Sequence, residues 1–71
     1  MPSYEVGIYN QEVRELTKMG EHHKNLSDSW ESIHYIEIFA DDEQQARRKA
    51  QSKYPRDLGY VIEQISRVDH V

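Results

Sequence analysis

The stretch I-H-Y-I-E-I-F-A-D-D-E-Q-Q-A-R-R-K-A-Q-S-K-Y-P, residues 33–55, decides the fold. Its first eight residues alternate: His34, Ile36, Ile38 and Ala40 share one face, and Ile33, Tyr35, Glu37 and Phe39 the other. Both faces are largely apolar, which marks a central strand or one whose second face meets a partner. From Asp41 the period becomes helical. Asp41 and Gln44 have the spacing of a capping box, with Asp in place of the usual Ser or Thr. Asp42 and Glu43 fall in the first turn and basic residues from Arg47 to Lys53 near the end, matching the macrodipole. Ala46, Ala50 and Tyr54 recur at four-residue spacing, a narrow face that lets the helix lie close on a sheet. Pro55 stops it, since the residue before proline is pushed out of the α region. The pattern predicts a helix over residues 41–54.

Working outward, Arg56-Asp57-Leu58-Gly59 reads as a turn, residues 60–68 as the last strand, and Asp69-His70-Val71 as a frayed end. Upstream, residues 4–9 alternate, with Tyr4, Val6 and Ile8 on one face and Glu5, Gly7 and Tyr9 on the other. Asn10 stands where a helix N-cap belongs, Val13, Leu16 and Met19 form a short apolar stripe, and Gly20 fits the position past a helix end. A short helix over 11–19 follows, with a hairpin as the alternative. Residues 21–31 are polar and aperiodic: a loop tied down by Leu26 and Trp30, carrying a helical turn from Ser27 or else the function. The expected fold is α+β, one domain over residues 1–71, in the order β-α-β-α-β. A three-stranded sheet carries the main helix on one face, through a right-handed crossover. The other face shows Tyr9, Tyr35 and Phe39.

Thirteen acidic against nine basic residues give a net charge of −4, which disfavours nucleic acid as a partner. There are no cysteines, so disulfides, thiolate ligands and thiol nucleophiles are excluded. No apolar run approaches the roughly 18 residues of a membrane span. The start, Met1-Pro2-Ser3-Tyr4-Glu5, lacks the basic and apolar regions of a signal peptide, which makes the cytoplasm the expected compartment. A chain of 71 residues has a thin core, so self-association is a standing expectation.

Few side chains could carry chemistry. His22-His23 with Glu21 suggests a metal, yet adjacent histidines diverge and zinc needs three or four converging ligands; solvated loop histidines are the expectation. Ser27, Asp28, Ser29 and a nearby histidine supply the atoms of a nucleophile system without the fixed base and oxyanion hole it needs, so Ser27 reads as a local cap. Glu37 reads as a rim residue or salt-bridge partner rather than a general acid. No cofactor is expected. Arg47, Arg48, Lys49 and Lys53, followed by Arg56, form the only basic cluster, and Arg47, Arg48 and Lys53 are the candidate nucleic-acid contacts. Tyr9, Trp30, Tyr35 and Phe39 are the candidate protein-binding set, because aromatics dominate binding hot spots and an uncovered sheet face offers a surface. The competing reading folds the short helix and the loop over that face, with Trp30 leaning to the core.

The runs Y-E-V-G-I-Y-N (4–10), L-S-D-S-W (26–30), H-Y-I-E-I (34–38), A-R-R-K (46–49), Y-P (54–55) and G-Y-V-I (59–62) resemble small accessory proteins of marine bacteriophages, cyanophages especially. The layout is also similar to small phage inhibitors, anti-CRISPR proteins among them. The resemblance transfers no activity and no site. It implies a non-enzymatic module that binds and modulates or inhibits one host protein in the host cytoplasm, with a homodimer through the aromatic face as a further expectation. The alternative function is a nucleic-acid-binding accessory.

Overall fold

The computed structural model describes residues 2–68; the end expected to fray, residues 69–71, lies outside them. Five main elements follow the expected β-α-β-α-β order: β1 (Ser3–Asn10), α1 (Gln11–Lys18), β2 (His34–Phe39), α2 (Glu43–Lys53) and β3 (Tyr60–Val68). The protein is a small α+β domain. Its sheet is antiparallel throughout, in the order β2-β1-β3.

The first alternative for the strand that is apolar on both faces does not hold: β2 is an edge, and β1 is central. On its second face β1 buries small residues, while Glu5 between them is exposed. Ser3 and Gly7 are both buried, and a Cβ on Gly7 would lie 3.1 Å from Ile33 Cγ2 and 3.3 Å from Tyr35 Cε1. Side chains at and just before β2 therefore close over Gly7, where a larger residue would be tight.

Tyr4, Val6 and Ile8 of β1, with Ile38, Ala40 and the helix residues Ala46 and Ala50, make the core. Both alanines are fully buried, so α2 lies close on the sheet as its narrow apolar face requires. The molecule measures 44 × 23 × 15 Å, and its shortest dimension accommodates one sheet and one helix layer.

The caps follow from local chemistry. Asp42, not Asp41, starts α2: its Oδ1 accepts from Gln45 N–H at 2.7 Å, and Gln45 Oε1 accepts from Asp41 N–H at 2.6 Å. The paired Asp-Asp and Gln-Gln permit either register. Ala40 N–H still bonds to Pro2 C=O at 3.0 Å, which holds the chain extended past β2 and delays the helix by one residue. Tyr54 caps the other end, directly before Pro55.

The short helix forms rather than a hairpin. Asn10 Oδ1 accepts from Val13 N–H at 3.1 Å. At the far end Gly20, at φ 75°, donates to Thr17 C=O, and Glu21 donates to Leu16 C=O, the Schellman pattern. Val13 is fully buried and Leu16 half-buried, but Met19 is exposed and does not extend the apolar stripe.

Asn10 also ties the two ends of the chain together. Fully buried, it donates from Nδ2 to Leu58 C=O at 3.0 Å, and the neighbouring Gln11 N–H bonds to Gly59 C=O at 2.7 Å. The turn before β3, Arg56–Leu58, is thus fastened to the start of α1. One register shift interrupts the ladder: Gly7 pairs with Gln64 but Ile8 with Ile62, so Glu63 is the extra, bulged residue of β3. No helix among the described residues is long and apolar enough to cross a membrane.

Candidate functional site

Register decides what the second face of the sheet presents. Three rows cross β2, β1 and β3 there: Tyr35–Gly7–Gln64, Glu37–Glu5–Ser66 and Phe39–Ser3–Val68. Tyr35 and Phe39, 57% and 55% exposed, stand two residues either side of Glu37. Four residues of strand separate the two rings by about 13 Å. The Tyr35 ring closes over Gly7 on one side and meets solvent on the other.

The middle row is acidic. Glu5 and Glu37 are direct cross-strand partners, both exposed, and neither takes a hydrogen bond or ion pair among the described residues. Like charges placed opposite each other on a sheet destabilise it. Glu5→Lys, which turns the repulsion into attraction, is expected to raise stability by about 0.5–1 kcal/mol, read as a higher urea midpoint at unchanged slope.

The other two aromatic candidates lie elsewhere. Tyr9 is on this face by alternation, but Arg14 of α1 covers its ring, the guanidinium carbon 3.7 Å from the centroid. The same guanidinium donates twice to Glu31 C=O, at 3.1 and 2.9 Å, which fixes it there. Trp30 belongs to the helix side. It stacks on His34 at 4.1 Å and meets Tyr60 at 5.2 Å and Tyr54 at 5.7 Å, against the core. The turn that places it, Asp28–Glu31, starts at Ser27, whose Oγ accepts from Ser29 N–H at 3.3 Å. Of the four aromatics, Tyr35 and Phe39 alone make an open patch.

The basic residues do not form one footprint. Lys49 and Lys53 face the β2 edge, lining with Ser52, Glu37 and Phe39 a groove of about 420 Å³. There Lys49 Nζ donates to Phe39 C=O at 2.7 Å and occupies an edge carbonyl, a device that discourages strand addition. Arg47 faces the opposite way, towards β3, and Arg48 lines neither groove. The nucleic-acid candidates Arg47, Arg48 and Lys53 thus point in different directions from one helix.

The loop side chains serve local structure. His22 Nδ1 lies 2.8 Å from Asp28 Oδ2, both exposed. His23 Nδ1 accepts from Asn25 and Leu26 N–H at 3.0 and 3.2 Å, and His34 Nε2 donates to Ser29 C=O at 2.9 Å. Among the described residues no three His, Cys, Asp or Glu side chains converge on a point where a metal could bind. Glu5 was missed as a member of the site, although alternation along residues 4–9 already places it beside Gly7 on the open face. No family model, curated protein or solved structure matches this chain.

Proposed function

We propose that the protein is a non-enzymatic binding module whose docking surface is the bare sheet face around Tyr35 and Phe39. One observation carries the reading: two large aromatic side chains are more than half exposed on the sheet face opposite α2. Trp30, Tyr54 and Tyr60 pack against one another on the other side, so exposure is selective. Aromatics anchor interfaces with large area at low entropic cost.

The acidic row states the partner's chemistry. A guanidinium or ammonium set between two apolar contacts would neutralise Glu5 and Glu37 while Tyr35 and Phe39 are covered. A second copy fits poorly, because a two-fold contact through this face sets acid against acid in a chain already at −4. The partner is therefore a different protein with an exposed basic residue among apolar ones. The resemblance to phage accessory proteins implies a host protein as this partner, with modulation or inhibition as the consequence of covering its surface.

The test is capture from a lysate of the native host with tagged wild type and with Tyr35→Ser/Phe39→Ser. Both side chains are exposed, so the variant should keep its far-UV circular dichroism, with a stability change of about 1 kcal/mol at most. A protein held by wild type and lost from the folded variant supports the proposal. Equal capture by both would remove this face from the function, and loss of folding would make the two residues core.

A further inference from the structure

We propose a phosphate-binding site in the cleft where α2 meets β3, formed by Arg47, Gln51 and Tyr54 of the helix side, Arg56 of the following turn, and Tyr60 of the strand. The cleft encloses about 240 Å³, floored by Val61 and Ile62. It lies on the helix side, away from Tyr35 and Phe39, and stands independently of the docking surface.

Local structure brings these residues together. Arg47, Gln51 and Tyr54 follow at i, i+4 and i+7 on one face of α2. Pro55 then turns the chain, and the turn Arg56–Leu58 returns the second arginine beside the first. Tyr54 and Tyr60 meet edge to face at 5.3 Å. Every polar side chain lining the cleft can donate: two guanidiniums, one amide and two phenols. No carboxylate lines it, although acids outnumber bases in the chain by thirteen to nine.

Neither guanidinium is used by the fold. Among the described residues the guanidiniums of Arg47 and Arg56 take no hydrogen bond or ion pair, and both residues are exposed. The Tyr60 phenol is a hydroxyl donor at neutral pH, and burial, with Tyr54 close by, pushes its pKa further up. The C-terminal end of α2 contributes about half a negative charge, against two full positive charges from the arginines. The balance favours an anion. Two forked guanidiniums suit the several oxygens and double charge of a phosphomonoester, whereas a carboxylate would fill only one fork. The volume lies below the roughly 300–1,000 Å³ of sites that enclose a whole small molecule, so the cleft takes the phosphate and leaves the rest of an ester outside, against the tyrosines.

The experiment is an amide and arginine-Nε NMR titration of the full chain with sodium phosphate, then phenyl phosphate, against sodium chloride at equal ionic strength. Saturable shifts at Arg47, Gln51, Tyr54, Arg56 and Tyr60 are expected with phosphate and not with chloride. Tighter binding of phenyl phosphate would identify an ester as the source, and equal binding would identify inorganic phosphate; both support the site. Arg47→Gln/Arg56→Gln should weaken binding at least tenfold, roughly the worth of one charge-assisted contact. Arg47→Lys/Arg56→Lys should fall between, because ammonium groups keep the charge and lose the fork. Shifts reproduced by chloride, or unchanged in a folded Gln/Gln variant, would overturn the proposal.

Discussion

Gly59→Ala is expected to lower stability by about 3 kcal/mol or more. Gly59 has φ 93°, a backbone region that costs an L side chain about 1–3 kcal/mol. A Cβ there would also come within 2.6 Å of Glu12 Oε2 and 2.8 Å of Asn10 Oδ1. The two obstructions differ in kind. Glu12 is exposed and can swing away. Asn10 is fully buried and its Oδ1 holds Val13 N–H, so it cannot move without uncapping α1. A domain of this size has about 4–10 kcal/mol of stability in all, and the loss would be a large part of it. Urea unfolding followed by circular dichroism measures it. Adding Glu12→Ala should recover little, because the immovable contact is with Asn10.

Asn10→Ala is expected to cost about 2–4 kcal/mol in the same assay. The helix cap accounts for about 1 kcal/mol. The remainder comes from the part-buried Leu58 C=O, which loses its donor, and from the space the fully buried side chain leaves. Asn10→Asp separates the two roles. A carboxylate still accepts from Val13 but presents oxygen to the Leu58 carbonyl, with a charge in a buried site. It should destabilise at least as much as Ala. Combined with Gly59→Ala, either change should cost less than the sum, since both act on one contact.

These two residues also show where the sequence stops being legible. Asn10 reads as a cap and Gly59 as a turn residue, because capping and turn chemistry are local. That they meet depends on a contact across 48 positions, which no periodicity encodes. The same holds for Arg47 and Arg56, brought together by the bend at Pro55, and for the Glu63 bulge, which no Gly or Pro announces. β2 looks central by composition because Tyr35 and Phe39 make its outer face apolar. The central strand, β1, instead carries Ser3 and Gly7, and neighbouring side chains fill the space above Gly7. Alternation placed Tyr35 and Phe39 on the open face correctly, and it could not reveal that Arg14 covers Tyr9 or that Trp30 crosses to the helix side.

The central claim is that a different protein covers the bare sheet face. The most direct measurement is photo-cross-linking in host lysate, with p-benzoylphenylalanine in place of Phe39 on the sheet face or Arg48 on the outer side of α2. Both positions are exposed, so both variants should fold. The account predicts an adduct of the 8.5 kDa chain with another protein from position 39 and none from position 48. An adduct from position 48 alone, equal adducts from both, or from position 39 only a dimer of the chain itself would contradict it.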